Sequence, residues 1–260
     1  SPWIHARFAA LTGQPLHYER RLVPLDGFAQ ALADFAAAGG RGCNVTVPFK
    51  HEAAALATWQ SPGVALAGAA NTLQFDGEDI RAYNTDGPGL VADITRNAGV
   101  ALQGARLLLV GAGGAAAGVL GPLLQAGVRH ITIANRTVAK AEALVASHSA
   151  LAALQKAELL ALAPQAIEGD FDVIINATAS SLAGDAVPVP ASVLRPGSLA
   201  YDMMYGPAAQ GFLDWAQAHG AVARDGLGML VEQAAEAFAI WRGVRPPSAQ
   251  VLEELRRAPH

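Results

Sequence analysis

The apolar positions along the chain fall into three successive patterns. Over the first ninety residues short strand-like and helix-like runs alternate. Residues 17–22 predict an extended segment ending near Pro24. Over 25–38, Phe28, Leu32 and Phe35 share one helical face, and Gly39-Gly40 stops the run. Residues 42–48 predict a short strand running into a turn, and 49–59 a second helix. Residues 71–75 and 80–83 bracket Asp76-Gly77-Glu78-Asp79, the pattern of a hairpin with a short loop.

From residue 106 the pattern is different. Residues 106–110 form a dense apolar run, short enough for a buried parallel strand. Glycines follow, then an Ala-rich helix to about Ala126. Residues 130–134 predict the next strand and 138–148 a helix. Residues 171–176 and 198–202 are further buried-strand candidates, and 220–223 a shorter one. This alternation predicts a doubly wound parallel sheet. The Ala/Leu/Gln-rich stretch 150–168 gives no clear strand. The chain ends in two helical patterns, 229–242 and 248–257, the second with Ser248 as its expected cap after Pro246-Pro247.

Composition narrows the function. Of 260 residues, 52% are hydrophobic and 15% charged, too apolar for disorder. The net charge of −4 comes with no basic stripe, which argues against a nucleic-acid partner. The single cysteine, Cys43, excludes an intramolecular disulfide and suits a reducing, cytoplasmic compartment. It sits beside a strand with no obvious histidine or basic partner and reads as an inert buried thiol rather than a nucleophile. The seven histidines lack metal-ligand spacing, so no metal is expected. Residues 107–124 carry no charge but hold five glycines and Pro122. Strand, turn and buried helix explain them better than a membrane span.

The clearest local chemistry begins at Gly111-Ala112-Gly113-Gly114-Ala115-Ala116, a G-x-G-x-x-A run between a strand and a helix. Gly111 permits a tight turn, Gly113 leaves room for a pyrophosphate, and Ala116 allows close helix packing. The helix start offers unpaired N–H groups to phosphate. A dinucleotide site selective for NAD ends its second strand with an acid about 20 residues past the glycines. Here that strand ends Asn135-Arg136-Thr137, with Lys140 one turn on. A guanidinium pairs with a 2′-phosphate that a carboxylate would repel, so the expectation is NADP over NAD. The bland reading of Arg136, a solvated surface arginine, is the weaker of the two.

A second constellation lies upstream. Asn44-Val45-Thr46-Val47-Pro48-Phe49-Lys50 places polar groups and a lysine at a strand-to-helix corner. Asn71 and Asp86 flank the expected hairpin. Each alone has a bland reading, Lys50 as a surface lysine and Asp86 as a turn or cap. Together, beside a nicotinamide, a lysine and a carboxylate are what alcohol oxidation needs: one takes the hydroxyl proton and the other polarises the oxygen.

These segments, with Ser1-Pro2-Trp3-Ile4-His5, Gly68-Ala69-Ala70-Asn71-Thr72, Asn84-Thr85-Asp86-Gly87, Asn176-Ala177-Thr178, residues 201–205 and 225–235, run in one order along nearly the whole chain. In that order they resemble the shikimate dehydrogenase family. The N-V-T-x-P-x-K and D-G-x-G-M-L-x-x-Q-A elements are specific; the glycine loop alone is not. The resemblance implies reversible NADPH-dependent reduction of 3-dehydroshikimate to shikimate in aromatic amino-acid (chorismate) biosynthesis. It implies two α/β domains with the active site in the cleft between them: a substrate domain of residues 1–90 and 227–260, and a Rossmann-type NADP domain of residues 91–226. Lys50 and Asp86 match the catalytic pair. Ser1, Thr46, Asn71, Tyr205 and Gln233 match substrate-binding positions, which Lys50 and Asp86 share. Gly111, Ala112, Gly113, Gly114, Ala115, Asn135, Arg136, Thr137, Lys140, Met203 and Gly226 match cofactor-binding positions. The expected partner is a small-molecule substrate, with no nucleic acid or membrane, in a monomer or homodimer.

One departure stands out. The family begins about fifteen residues earlier, with a strand and a first substrate serine, and an incomplete N-terminus is the expectation here; unpaired backbone groups would follow from a missing inner strand. Two other readings remain: a quinate/shikimate dehydrogenase of broader specificity, and a non-catalytic NADP-binding sensor. The joint presence of Lys50, Asp86, Thr46, Asn71 and Gln233 argues against the sensor.

Overall fold

A computed structural model describes residues 1–180 and 184–258. The chain divides into two compact units, Ser1–Gly89 with Leu230–His260, and Leu90–Met229. Both boundaries fall inside helices.

The first unit opens with helix α1 (Pro2–Thr12), which the apolar pattern did not announce. The cue was local chemistry: Ser1 at the N-cap, Pro2 in the first turn and Gly13 closing the helix in the left-handed region at φ 68°. Residues 17–22 are not a paired strand; they belong to an irregular stretch, with Leu22 fully exposed. With no neighbouring strand bonded to it, an extended sequence gains no ladder. Helix α2 (Phe28–Ala37) buries Phe28 and Leu32, and Phe28 stacks on Phe49 at 4.9 Å. Strand β1 (Gly42–Asn44) leads through a corner to α3 (Lys50–Leu56). Then come β2 (Trp59–Gln60), α4 (Pro62–Ala67), the hairpin β3 (Thr72–Asp76) and β4 (Asp79–Tyr83), and α5 (Asp86–Ala92). The sheet order is β1-β3-β4-β2; β1/β3 and β3/β4 are antiparallel and β2/β4 parallel. Its core is small and apolar, built from Val45, Ala53, Ala54, Val64, Leu73 and Ala82.

The second unit continues α5 as a π-helical turn, Asp93–Asn97. Strand β5 (Arg106–Val110), helix α6 (Gly114–Gln125), β6 (His130–Ala134), α7 (Val138–Leu154) and β7 (Glu158–Leu162) follow. After them come β8 (Val173–Asn176), β9 (Leu199–Asp202), α8 (Gln210–Ala218) and β10 (Val222–Arg224). All six strands are parallel in the order β10-β9-β8-β5-β6-β7. Both faces are covered, which is why the strands read as continuous apolar runs. Leu107 and Leu109 of β5 face one core with Val173, Ile175 and Tyr201, while Leu108 and Val110 face the other with Ile174 and Phe212. Strand β7, absent from the sequence reading, is an edge strand made of helix-favouring residues with Leu160 half-exposed. Pairing with β6, not propensity, makes it a strand.

Beneath β9 and β10 the carboxylate of Asp93 is fully buried. It accepts from Tyr201 Oη at 2.8 Å, Arg224 Nε at 2.8 Å, Arg224 Nη2 at 2.7 Å and Asn97 Nδ2 at 2.9 Å. Burial alone would raise its carboxyl, but these donors together hold it below the usual range.

The chain closes with α9 (Leu227–Arg242) and α10 (Ser248–Arg257). Ser248 is not the cap: Pro247 takes that place, and the Ser248 hydroxyl donates instead to Glu232 Oε1 at 2.8 Å. Arg7 clamps α1 to α10 through both carboxylate oxygens of Glu254, at 2.8 and 2.9 Å. Among the described residues no helix is long and apolar enough to cross a membrane.

One glycine in the first unit is required by its neighbours. Trp241 Nε1 donates to the Leu73 carbonyl at 2.9 Å, and a Cβ on Gly42 would lie 2.5 Å from both of those atoms. Gly42→Ala should therefore lose about 1–3 kcal/mol of stability through overpacking. The measurement is the midpoint of thermal or urea unfolding; an unchanged midpoint would show that indole and strand can part without loss.

Candidate active site

Three chain segments of the first unit converge on one polar cluster. The first is the corner after β1. Val45 N donates to the Asn71 carbonyl at 2.8 Å, and Phe49 N to the Thr46 carbonyl at 3.0 Å, which turns the chain into α3. Lys50 is the first residue of that helix, and its carbonyl accepts from Ala70 N at 2.9 Å. The second and third segments flank the hairpin. Its register pairs Thr72 with Tyr83, which leaves Asn71 and the segment 84–86 side by side at the open end. Asp86 N donates to Asn84 Oδ1 at 3.1 Å and starts α5, where a helix N-terminus favours a carboxylate.

Lys50 Nζ donates to Asp86 Oδ2 at 2.8 Å, with the two side chains 28% and 19% exposed. The pair is thus within reach of a ligand yet mostly removed from water. Asn71 Nδ2 donates to Asp86 Oδ1 at 3.0 Å and to Thr85 Oγ1 at 2.9 Å. Thr85 Oγ1 donates to Gln233 Oε1 at 3.3 Å, which ties α9 to the cluster. Lys50, Asp86, Asn71 and Gln233 therefore come together. Thr46 is exposed on the corner beside them, and Ser1 is exposed at the N-cap of α1. Thr85, Thr72 and Asn44 were not singled out by the sequence reading; their signal was only their place within the quoted segments.

The second unit carries a pocket of about 790 Å³ at the carboxyl ends of its strands. Gly111, Ala112, Gly113, Asn135, Arg136, Thr178 and Asp185 line it. Strands β5 and β8 are neighbours on which the chain order reverses, with Val110 opposite Asn176. Ligands bind at such a switch point in open α/β sheets. Gly111 has φ 110°, which favours glycine, and positions equivalent to a Cβ on Gly113 and Gly114 meet open space. Among the described residues no side chain caps the start of α6, which leaves its first N–H groups for an anion. Arg136, Thr137 and Lys140 are exposed, while Asn135 Nδ2 donates to the Thr137 carbonyl at 2.9 Å and shapes that loop. These features fit a dinucleotide bearing an extra phosphate. In the same unit Gly226 is buried where a side chain would overlap the Met203 carbonyl, and Tyr205 is exposed.

Three family models match the chain: the shikimate dehydrogenase substrate binding domain over residues 1–73, shikimate / quinate 5-dehydrogenase over 93–183, and the shikimate 5'-dehydrogenase C-terminal domain over 226–256. A shikimate dehydrogenase (NADP(+)) of Acidovorax sp. (strain JS42) is 78% identical over 258 residues, 99% of this chain and 92% of that protein. The chain belongs to the shikimate dehydrogenase family. Among solved structures, an Ael1 enzyme from Pseudomonas putida has a TM-score of 0.90 at 45% identity, covering 98% of this chain and 92% of that one. Shikimate 5-dehydrogenase from Thermus thermophilus, solved with NADP(H) and shikimate, has a TM-score of 0.83 at 31% identity, covering 99% and 94%.

Other titratable groups of this shikimate dehydrogenase family member do different work. Burial pushes the Cys43 thiol up to about 12, which leaves it inert as a nucleophile. Asp172 accepts from Arg106 N at 2.8 Å and pairs with Arg195, a strand-end role. No group of three or more His, Cys, Asp or Glu among the described residues is placed to hold a metal ion.

His5 is fully buried and stacked on Tyr18 at 4.2 Å. Burial lowers it to about 3, and it also lowers the buried His148. A base whose folded value lies below its unfolded 6.5 binds fewer protons when folded. Stability is then retained above the unfolded value and lost as pH falls towards the folded one. Between pH 6.5 and 4.5 the thermal midpoint should fall by on the order of several degrees, and less steeply in His5→Phe. Below that window carboxylates such as Glu254, held at about 2 by Arg7, add their own loss. A flat midpoint down to pH 4.5 would contradict the burial argument.

Proposed function

We propose that the chain is an NADP-dependent shikimate dehydrogenase that reversibly reduces 3-dehydroshikimate to shikimate. The observation that carries this reading is the Lys50 Nζ–Asp86 Oδ2 contact of 2.8 Å at a site that is neither fully buried nor fully solvated. Oxidation of a secondary alcohol requires that a hydroxyl proton leave as the carbon gives up hydride. The nicotinamide, when bound, is the hydride acceptor and in reverse the donor. Lys50 and Asp86 hold the hydroxyl oxygen and move its proton between them and the substrate as a coupled pair. In the reductive direction the same groups polarise the carbonyl and return the proton.

The remaining polar groups serve binding. Asn71 and Gln233 fix the surroundings of the pair, and Ser1 and Thr46, both exposed, are the residues we assign to a carboxylate or ring hydroxyl. Tyr205 is a further residue we assign to the substrate. Gly111 to Ala115, with the start of α6, take the pyrophosphate. Asn135, Arg136, Thr137 and Lys140 take the 2′-phosphate, and Met203 and Gly226 border the nicotinamide. The half-buried Cys43, the single cysteine of the sequence, is consistent with a reducing, cytoplasmic location.

Cofactor reduction, followed with shikimate and quinate against NADP and NAD, tests the whole reading. Turnover of shikimate with NADP is expected, and none with either substrate would leave only a nucleotide-binding protein. Lys50→Ala should lower kcat by about 10²–10⁴-fold while the affinity for NADP stays near the parent value; a parental kcat would remove Lys50 from the chemistry. Arg136→Ala should raise KM for NADP roughly 10- to 150-fold, the loss of one charge-assisted contact, with little change for NAD. Equal effects on both cofactors would remove Arg136 from 2′-phosphate recognition.

A further inference from the structure

Behind Asp86 lies a line of neutral donors whose direction is fixed by the groups at each link. The backbone carbonyl of Asn71 can only accept. Asn44 therefore turns its amide nitrogen towards it, and Nδ2 reaches that carbonyl at 3.3 Å and Thr72 Oγ1 at 3.1 Å. Asn44 Oδ1 then faces Tyr18, whose phenol donates to it at 2.8 Å. With its oxygen accepting from Asn44, the Thr72 hydroxyl passes its own proton to Asn71 Oδ1 at 3.0 Å. Thr85 N donates to the same oxygen at 2.8 Å. Oδ1 of Asn71 is thereby committed as acceptor, and Nδ2 is left facing Asp86 Oδ1 at 3.0 Å.

We infer that Tyr18 and Thr72 are positioning residues for the Lys50–Asp86 pair, acting through Asn44 and Asn71 to hold one amide donor against the carboxylate. The inference rests on the catalytic reading of that pair. Thr72 is fully buried and Asn71 nearly so, so a link removed from the chain is not replaced by bulk water. Burial pushes the Tyr18 phenol up to about 12, so it remains a donor over the working pH range. His5, stacked on the Tyr18 ring, and Trp241, tilted against it at 6.3 Å, restrict where that hydroxyl can point. The sheet register supplies the rest: Asn44 on β1 sits opposite Thr72 on β3.

The test is steady-state shikimate oxidation with NADP for Tyr18→Phe, Thr72→Val, Thr72→Ser and the double variant Tyr18→Phe/Thr72→Val, with Lys50→Ala as reference. Rates are normalised to folded protein by the amplitude of the unfolding transition. Tyr18→Phe and Thr72→Val should each lower kcat about 10- to 100-fold, the scale of a small misplacement of a reacting group, with KM for NADP unchanged. Thr72→Ser, which keeps the hydroxyl, should restore most of the rate. The double variant should be no slower than the worse single one, because both cut the same line. Parental kcat in both single variants would overturn the inference; so would a Thr72→Ser variant as slow as Thr72→Val, or rate losses that multiply in the double variant. If Lys50→Ala keeps the parental rate, the catalytic reading of the pair fails and this inference with it. If Lys50→Ala is inactive while Tyr18→Phe and Thr72→Val are not slowed, only the inference fails.

Discussion

The ion pair between Lys50 and Asp86 is the constraint around which the first unit is arranged. Each residue opens a helix, α3 and α5, but the two helix starts treat them oppositely. A carboxylate is favoured at a helix N-terminus and an ammonium is not. Lys50 is tolerated there because its charge is met by Asp86 at 2.8 Å. The degree of exposure matters equally. A fully buried pair would carry a large desolvation cost, and a fully solvated one would be screened to almost nothing. At 28% and 19% exposure the pair keeps a useful field and an open approach for a small polar ligand.

The second unit solves a different electrostatic problem by geometry rather than net charge. The chain carries an overall charge of −4, yet its pocket suits a polyanion. The parallel sheet brings the ends of β5 and β8 together where the chain order reverses, and the glycine turn leaves the backbone amides of α6 uncovered. Aligned peptide dipoles then supply local positive potential. Arg136 and Lys140, both exposed, add point charges in the loop where the second strand ends.

The sequence carried the second unit more openly than the first. Buried parallel strands such as 106–110 and 130–134 announce themselves because both faces are apolar, and their ends fall where the run of hydrophobic residues stops. Edge strand β7 was hidden because a strand exposed on one side and built from Glu, Leu and Ala looks like the end of a helix. The first unit has short strands and small core residues, and most of its key side chains lie at the ends of regular elements or just beyond them. Lys50 and Asp86 could be singled out by residue type and by resemblance, but their contact depends on the hairpin register, which no local pattern encodes. Ser248 shows the same limit: its type suits a cap, yet a buried glutamate on another helix claims its hydroxyl.

The neutral character of the line behind Asp86 has its own logic. A second cation on Oδ1 would compete with Lys50 for the carboxylate and stiffen it against exchanging a proton with a ligand. An amide there orients the carboxylate while contributing no net charge, and its own orientation is held by hydroxyls and a backbone N–H that also carry none. Buried polar chains of this kind are stable only when every link is satisfied. That requirement explains why Asn44, Thr72, Asn71 and Thr85 sit at strand ends, where side chains and free backbone groups from three segments meet and each donor finds an acceptor. The Lys50–Asp86 pair is thereby oriented from behind through neutral groups, and the pair itself supplies the charges.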